Sequence, residues 1–157
     1  MNDDFRETLS RLALSLYQFS HLLIPDRLQA QQVVIDSLAQ LAVSWPPMAD
    51  GLKGINIQGQ RPQLKIHAFK AAYSLAKARS HQLGLIEQLG LPGQGVWEGS
   101  SLQERATLYL FYRLKFSKRD IAEILNVSVY DGMALLASAR DWIDDKFDDP
   151  SEVSGHA

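Results

Sequence analysis

The chain contains no cysteine, which excludes disulfide bonds, thiolate nucleophiles and cysteine-ligated zinc. It has no run of about 18 apolar residues, the length that a membrane span requires. No apolar segment of signal type follows Met1, because the acidic residues Asp3 and Asp4 stand there instead. These absences predict a cytoplasmic protein with no membrane partner.

Patterns of catalysis and cofactor binding are missing as well. The 4 histidines show no metal-ligand spacing, and no nucleophile stands in a recognisable grouping with a base. The glycine-rich segment 90–95 lacks the Lys-Ser/Thr pair of a phosphate-binding loop. We therefore expect no metal, no cofactor and no enzymatic activity.

Apolar residues recur at helical spacing along most of the chain, and no strand-like alternation of useful length occurs. The spacing predicts a first helix to about Leu23, a second from the cap Asp26 to Trp45, and a third over 63–83 after a loop at 50–62. A composition of 46% hydrophobic and 22% charged residues is that of a globular chain. We expect an all-α protein.

Glycine and proline concentrate in one stretch between the third predicted helix and the C-terminal third of the chain. We interpret residues 84–98 as a linker between two small helical domains, 1–83 and 99–147. Residues 148–157 are expected to form a flexible tail.

Serine followed three residues later by an acid marks helix starts in the C-terminal third. The three pairs are Ser101 with Glu104, Ser117 with Asp120, and Ser128 with Asp131. Between the last two helices, Asn126 suits the left-handed conformation of a tight turn. The buried face of the first of these helices consists of Ile121, Ala122, Ile124 and Leu125, and that of the second consists of Val129, Leu136, Ala139 and Ile143. This spacing predicts a helix-turn-helix, which places its second helix in the DNA major groove; an ordinary three-helix bundle has the same spacing.

Residues 117–140 read SKRDIAEILNVSVYDGMALLASAR. This segment resembles the promoter −35 reader of extracytoplasmic-function sigma factors of the sigma-70 family, and Leu102–Arg105 resembles the L-P-x-R motif that precedes it. Residues 30–38 stand where the family has its polymerase-binding helix, and residues 70–75 where it has its −10 element reader. The resemblance follows the family's order along nearly the whole chain.

The resemblance implies a promoter-specificity subunit of bacterial RNA polymerase that acts in transcription initiation. It implies contact with core polymerase through Gln32, Ile35 and Asp36, of which only Asp36 keeps the family's residue type. It also implies promoter DNA contact through residues 61–79, which carry 5 basic residues and no acid. A solvated basic face is the other interpretation of this segment. The candidate DNA-binding residues are Arg61, Lys65, Lys70, Tyr73, Lys77, Arg79, Lys118, Arg119 and Arg140.

The last helix departs from the family pattern in a consistent direction. Gly132 and Met133 stand where the family has valine and lysine, and Leu135 stands where it has arginine. Residues 120–149 hold 2 basic residues and 8 acids, a net charge of 2 − 8 = −6. Such a segment repels a phosphate backbone, because DNA affinity depends mainly on Lys and Arg.

These departures support a second hypothesis beside the sigma factor, namely a sigma mimic that binds a protein and does not read DNA through its helix-turn-helix. Met133, Leu135 and Trp142 are the candidate contacts for such a partner, an anti-sigma factor or another regulator. Packing of the three side chains against the rest of the chain is the other interpretation.

Overall fold

The computed structural model describes residues 3–44, 57–82 and 100–147. The helices are α1 (Asp3–Leu23), α2 (Arg27–Ser44), α3 (Ile57–Gln82), α4 (Leu102–Leu108, continued by a π-helical turn over Tyr109–Arg113), α5 (Lys118–Leu125) and α6 (Val129–Phe147). The prediction of an all-α protein is confirmed. The predicted linker 84–98 and tail 148–157 lie outside the described residues.

The predicted serine caps of the C-terminal helices are all formed. The Ser101 hydroxyl accepts from the Glu104 N–H, and the Glu104 carboxylate accepts from the Ser101 N–H, both at 3.1 Å. The hydroxyls of Ser117 and Ser128 accept from the backbone N–H three residues on, at 3.1 and 3.0 Å. Asn126 adopts the left-handed conformation with φ 56° and ψ 48°. These local signals fix both ends of α5 and the start of α6.

The boundaries of the N-terminal helices agree with the sequence except at one point. The Asp26 carboxylate caps α2 by accepting from the Gln29 N–H at 2.9 Å, as predicted. The predicted loop at 50–62 is wrong over its last residues, because α3 begins at Ile57 and contains Pro62. Pro62 is the sixth residue of α3, and the helix continues across it although the proline has no N–H to donate to the Gln58 carbonyl.

An aromatic layer joins the residues on the two sides of the predicted linker. The ring of Phe19 on α1 lies 5.3 Å from that of Phe69 on α3 and 5.6 Å from that of Tyr109. Phe69 also meets Phe116 edge-on, with ring centroids 5.8 Å apart. Each such pair contributes about 0.5–1.5 kcal/mol beyond its buried area. The two helical units therefore share one hydrophobic core.

A buried arginine reinforces this junction. Arg105, the arginine of the L-x-x-R motif, is almost fully buried and donates through Nη2 to the Leu23 carbonyl at 3.5 Å. Burial lowers the pKa of Arg105. The partial negative charge at the C-terminus of α1 partly offsets that cost. Next to it, the Tyr109 hydroxyl donates to Gln18 Oε1 at 3.2 Å.

Helices α5 and α6 cross closely because α6 has no side chain at the crossing point. A Cβ atom added at Gly132 would lie 3.3 Å from Ala122 Cβ and 3.5 Å from Ala122 Cα. Gly132 is therefore the residue that lets the pair pack at this separation, and a valine does not fit here without a shift of the helices.

None of the described helices is by itself long and apolar enough to cross a membrane. One pair of them, α5 with α6, meets the length and composition of a span only when taken together, across a bend of 100°.

We predict that Gly132→Val destabilises the fold by about 1–3 kcal/mol, because the added methyl groups overpack the α5–α6 crossing. The control is Ala134→Val, an exposed position on the same helix that receives the same branched side chain, with an expected cost near 0.5 kcal/mol. Urea unfolding followed by circular dichroism measures both. Equal destabilisation in the two variants would show that the crossing tolerates the valine.

Candidate functional site

The outer face of α2 consists of Leu28, Gln32, Ile35, Ala39 and Val43, which recur at helical spacing and are all exposed. Ile35, a predicted polymerase contact, is 59% exposed. The whole helix carries only two charged residues, Arg27 and Asp36. The outer face of α2 is therefore an uncharged, largely apolar stripe with no packing partner among the described residues.

Asp36, the predicted polymerase contact that carries a charge, is held at the edge of this stripe. Its carboxylate accepts from Gln32 Nε2 at 2.9 Å and forms an ion pair with Arg79 on α3. Arg79 also donates to Gln29 Oε1 at 3.0 Å. The structure thus brings a predicted polymerase residue and a predicted DNA residue together across the α2–α3 contact. A partly exposed pair of this kind contributes about 0–1 kcal/mol, so its main effect is to orient the two side chains.

The basic face of α3 consists of Lys70, Ser74, Lys77 and His81, which follow one another at spacings of three and four. Lys77 is exposed and Lys70 is half-buried. Lys65 is exposed outside this line, and the side chain of Arg61 lies outside the described residues. With no acid from 61 to 79, this side of α3 presents positive charge to solvent.

Tyr73 borders the basic face, three residues after Lys70 and four before Lys77, but its side chain is buried. It is 3% exposed and belongs to the same core as Phe69. Burial raises the pKa of the Tyr73 hydroxyl. The ring is therefore not accessible to a nucleic-acid base in this conformation, and base stacking on Tyr73 would require the two helical units to separate.

Positive charge around the α5–α6 pair lies at its flanks. Lys118 and Arg119 are exposed at the start of α5. The guanidinium of Arg140 lies over the ring of Phe111 at 5.1 Å, and its Nε donates to the Tyr112 hydroxyl at 3.0 Å. Arg140 is exposed, but these contacts hold its charge against the π-helical turn.

The outer face of α6 is the side of this helix that lies exposed to solvent. It consists of Tyr130, Met133, Ala134, Ala137, Asp141, Asp144 and Asp145. Tyr130 is 82% exposed and Met133 is 48% exposed. The N-terminal half of this face is apolar, the C-terminal half is acidic, and neither half contains Lys or Arg.

The other two predicted partner contacts lie further inward. Leu135 is partly buried and packs against the core, and Trp142 is half-buried. The expectation that Val129 faces inward is wrong, because Val129 lies exposed in the first turn of α6. Sequence reasoning missed Tyr130, although its spacing to Ala134, Ala137 and Asp141 was a usable signal for a shared face.

No protein-family model and no curated protein sequence matches the chain. Among solved structures, it is similar to the sigma factor RpoE of Bartonella quintana, which was crystallised in complex with the anti-sigma factor NepR. The TM-score is 0.62 at 18% sequence identity, and the match covers 95% of this chain and 99% of that one. The chain thus has the all-α fold of an extracytoplasmic-function sigma factor. Its sequence differs strongly from that of the similar structure.

Proposed function

We propose that this protein acts in bacterial transcription as a sigma-factor-like subunit that binds core RNA polymerase through the outer face of α2. The observation that carries the proposal is the exposed, nearly uncharged stripe around Ile35, which lies where the resembling family has its polymerase-binding helix. A globular chain rarely leaves such a stripe open without a partner for it. The likeness in fold to a sigma factor over most of the chain supports the same function.

Promoter DNA is the second ligand of this function, and the basic face of α3 is its proposed binding surface. Lys70 and Lys77 are separated by two helical turns on that face, with Ser74 between them. Cations in such a line neutralise successive phosphates of a single strand. DNA contact through α6 is not part of the proposal, because the outer face of that helix carries acids.

A protein-binding module is the second candidate function, and the outer face of α6 is the observation that favours it. The exposed Tyr130 and Met133 are typical of a protein interface, and the absence of Lys and Arg from this face argues against DNA there. The similar RpoE structure contains a bound protein regulator, which supports a partner of that class for this chain. The module would occupy a regulator in place of a sigma factor.

We predict that Ile35→Glu weakens binding to purified core polymerase by about tenfold or more, because it places a charge at the centre of an apolar contact. The control is Leu14→Glu, which introduces the same charge at a position on α1 that is 60% exposed. Affinity is measured by titration of the labelled chain with core enzyme. If both variants bind like the unmodified chain, α2 is not the polymerase contact.

We predict that Lys70→Glu and Lys77→Glu each weaken binding to fluorescent single-stranded promoter DNA and reduce its salt dependence. The logarithmic slope should fall by about 0.7 for each phosphate that the variant no longer neutralises. Arg6→Glu is the matched control, since Arg6 is an exposed cation on a different helix, α1. Anisotropy over a salt series provides the slopes. An equal effect of Arg6→Glu would mean that only net charge matters.

A further inference from the structure

The outer face of α6 combines three features that suit a helical partner. Tyr130 and Met133 provide an exposed apolar end. Ala134 and Ala137 follow as small residues one turn on, which lets a second helix approach closely. The acidic end, with Asp141, Asp144 and Asp145, completes the line.

The aspartates of this face do not stabilise the fold. Aspartate is a weak helix former, and negative charge in the last turn of a helix opposes the helix dipole. Asp144 and Asp145 stand in that last turn, since α6 ends at Phe147. No ion pair joins Asp141, Asp144 or Asp145 to a side chain that the structure describes. This charge is thus available to a ligand.

Several occupants do not match this charge. A phosphate backbone is repelled, and a second copy docked through the same face would bring like charges together. The segments of the chain outside the described residues are no better suited. Residues 83–99 and 148–157 contain acids and no Lys or Arg, and residues 45–56 contain one Lys and one Asp. The face therefore calls for a cationic segment from another protein.

We propose that the outer face of α6 binds a basic, amphipathic helix of a partner protein. An apolar anchor of that helix packs on Tyr130 and Met133, its backbone passes over Ala134 and Ala137, and its Lys or Arg residues meet the acidic end. This inference names the partner chemistry of the second candidate function and rests on it. It does not depend on polymerase binding by α2.

The apolar and acidic ends have separable effects on binding. A desolvated aromatic anchor such as Tyr130 sets mainly the dissociation rate. The three aspartates, exposed at the rim, set mainly the association rate and its dependence on salt. This division allows the two halves of the face to be tested independently.

The first test is photo-crosslinking in the native host, with p-benzoylphenylalanine at Met133 in the full-length chain and, as the control, at the exposed Leu14. We expect a protein adduct at position 133 that is absent at position 14, with the cross-linked peptide rich in Lys and Arg. Joint replacement Asp141→Asn, Asp144→Asn and Asp145→Asn should reduce the adduct at least about fivefold. Adducts to DNA, to a second copy or to a peptide without excess positive charge would overturn the proposal, as would no adduct above the control.

The second test uses a synthetic peptide with the cross-linked sequence. Tyr130→Ala should weaken its binding by about tenfold or more, whereas Leu14→Ala should leave it unchanged. The triple aspartate variant should slow association and flatten the salt dependence. If the two variants Tyr130→Ala and Leu14→Ala bind the peptide with equal affinity, Tyr130 is not an anchor and the proposal is wrong.

Polymerase binding is measured in parallel with the unmodified chain and the triple aspartate variant. An adduct at position 133 without polymerase binding would reject the sigma-factor function and keep this inference. Polymerase binding without an adduct to a basic protein would reject this inference and keep the sigma-factor function.

Discussion

The aromatic contact between Phe69 and Phe116 is the constraint on which the rest of the structure depends. Through it, α3 packs with one side against both the N-terminal helices and the helix-turn-helix. Because that side of α3 is committed to the core, only the opposite side remains for a ligand. The same contact fixes where α5 lies, and α5 in turn fixes which side of α6 faces outward. Each candidate surface is thus the exposed side of a helix whose other side packs in the core.

This arrangement separates charge across the molecule. Lys65 and Lys77 of α3 face solvent on one helix, and the three aspartates of the outer face of α6 face solvent on another. A single nearly neutral chain can therefore present a surface suited to phosphates and a surface that repels them. The net charge of −2 does not reveal this separation of charge. The separation matters more for the choice of partners than the net charge does.

The sequence predicted those features that depend on neighbours in the chain. Ser101, Ser117 and Asn126 fix helix ends through contacts within four residues, and all three behave as predicted. The predicted start of α3 is wrong, because a proline is a probable helix boundary and not a certain one, and α3 continues across Pro62. The candidate site was less predictable, because the burial of Tyr73 and the pairing of Arg79 with Asp36 are set by other helices. No local pattern contains that information.

The difference between the conserved shape of the α5–α6 pair and its altered outer side chains has a physical reason. Its backbone is determined by caps and by inward residues such as Ile121 and Leu136, which are buried. Gly132 adjusts only the distance between the two helices. Outward residues do not determine the fold, so their chemistry is free to change while the fold persists. A likeness in fold at low identity is the expected result.

The ion pair between Asp36 and Arg79 has a consequence for the way the two proposed ligands influence each other. A partner that draws Asp36 away leaves Arg79 as an additional free cation on α3. By thermodynamic reciprocity, a phosphate that captures Arg79 leaves Asp36 free for a partner by the same factor. Since a partly exposed pair is worth about 1 kcal/mol at most, this cooperativity is limited to about fivefold. Under the proposed function, this contact would therefore couple binding at α2 weakly and positively to the capture of a phosphate by Arg79, which lies outside the basic face of α3.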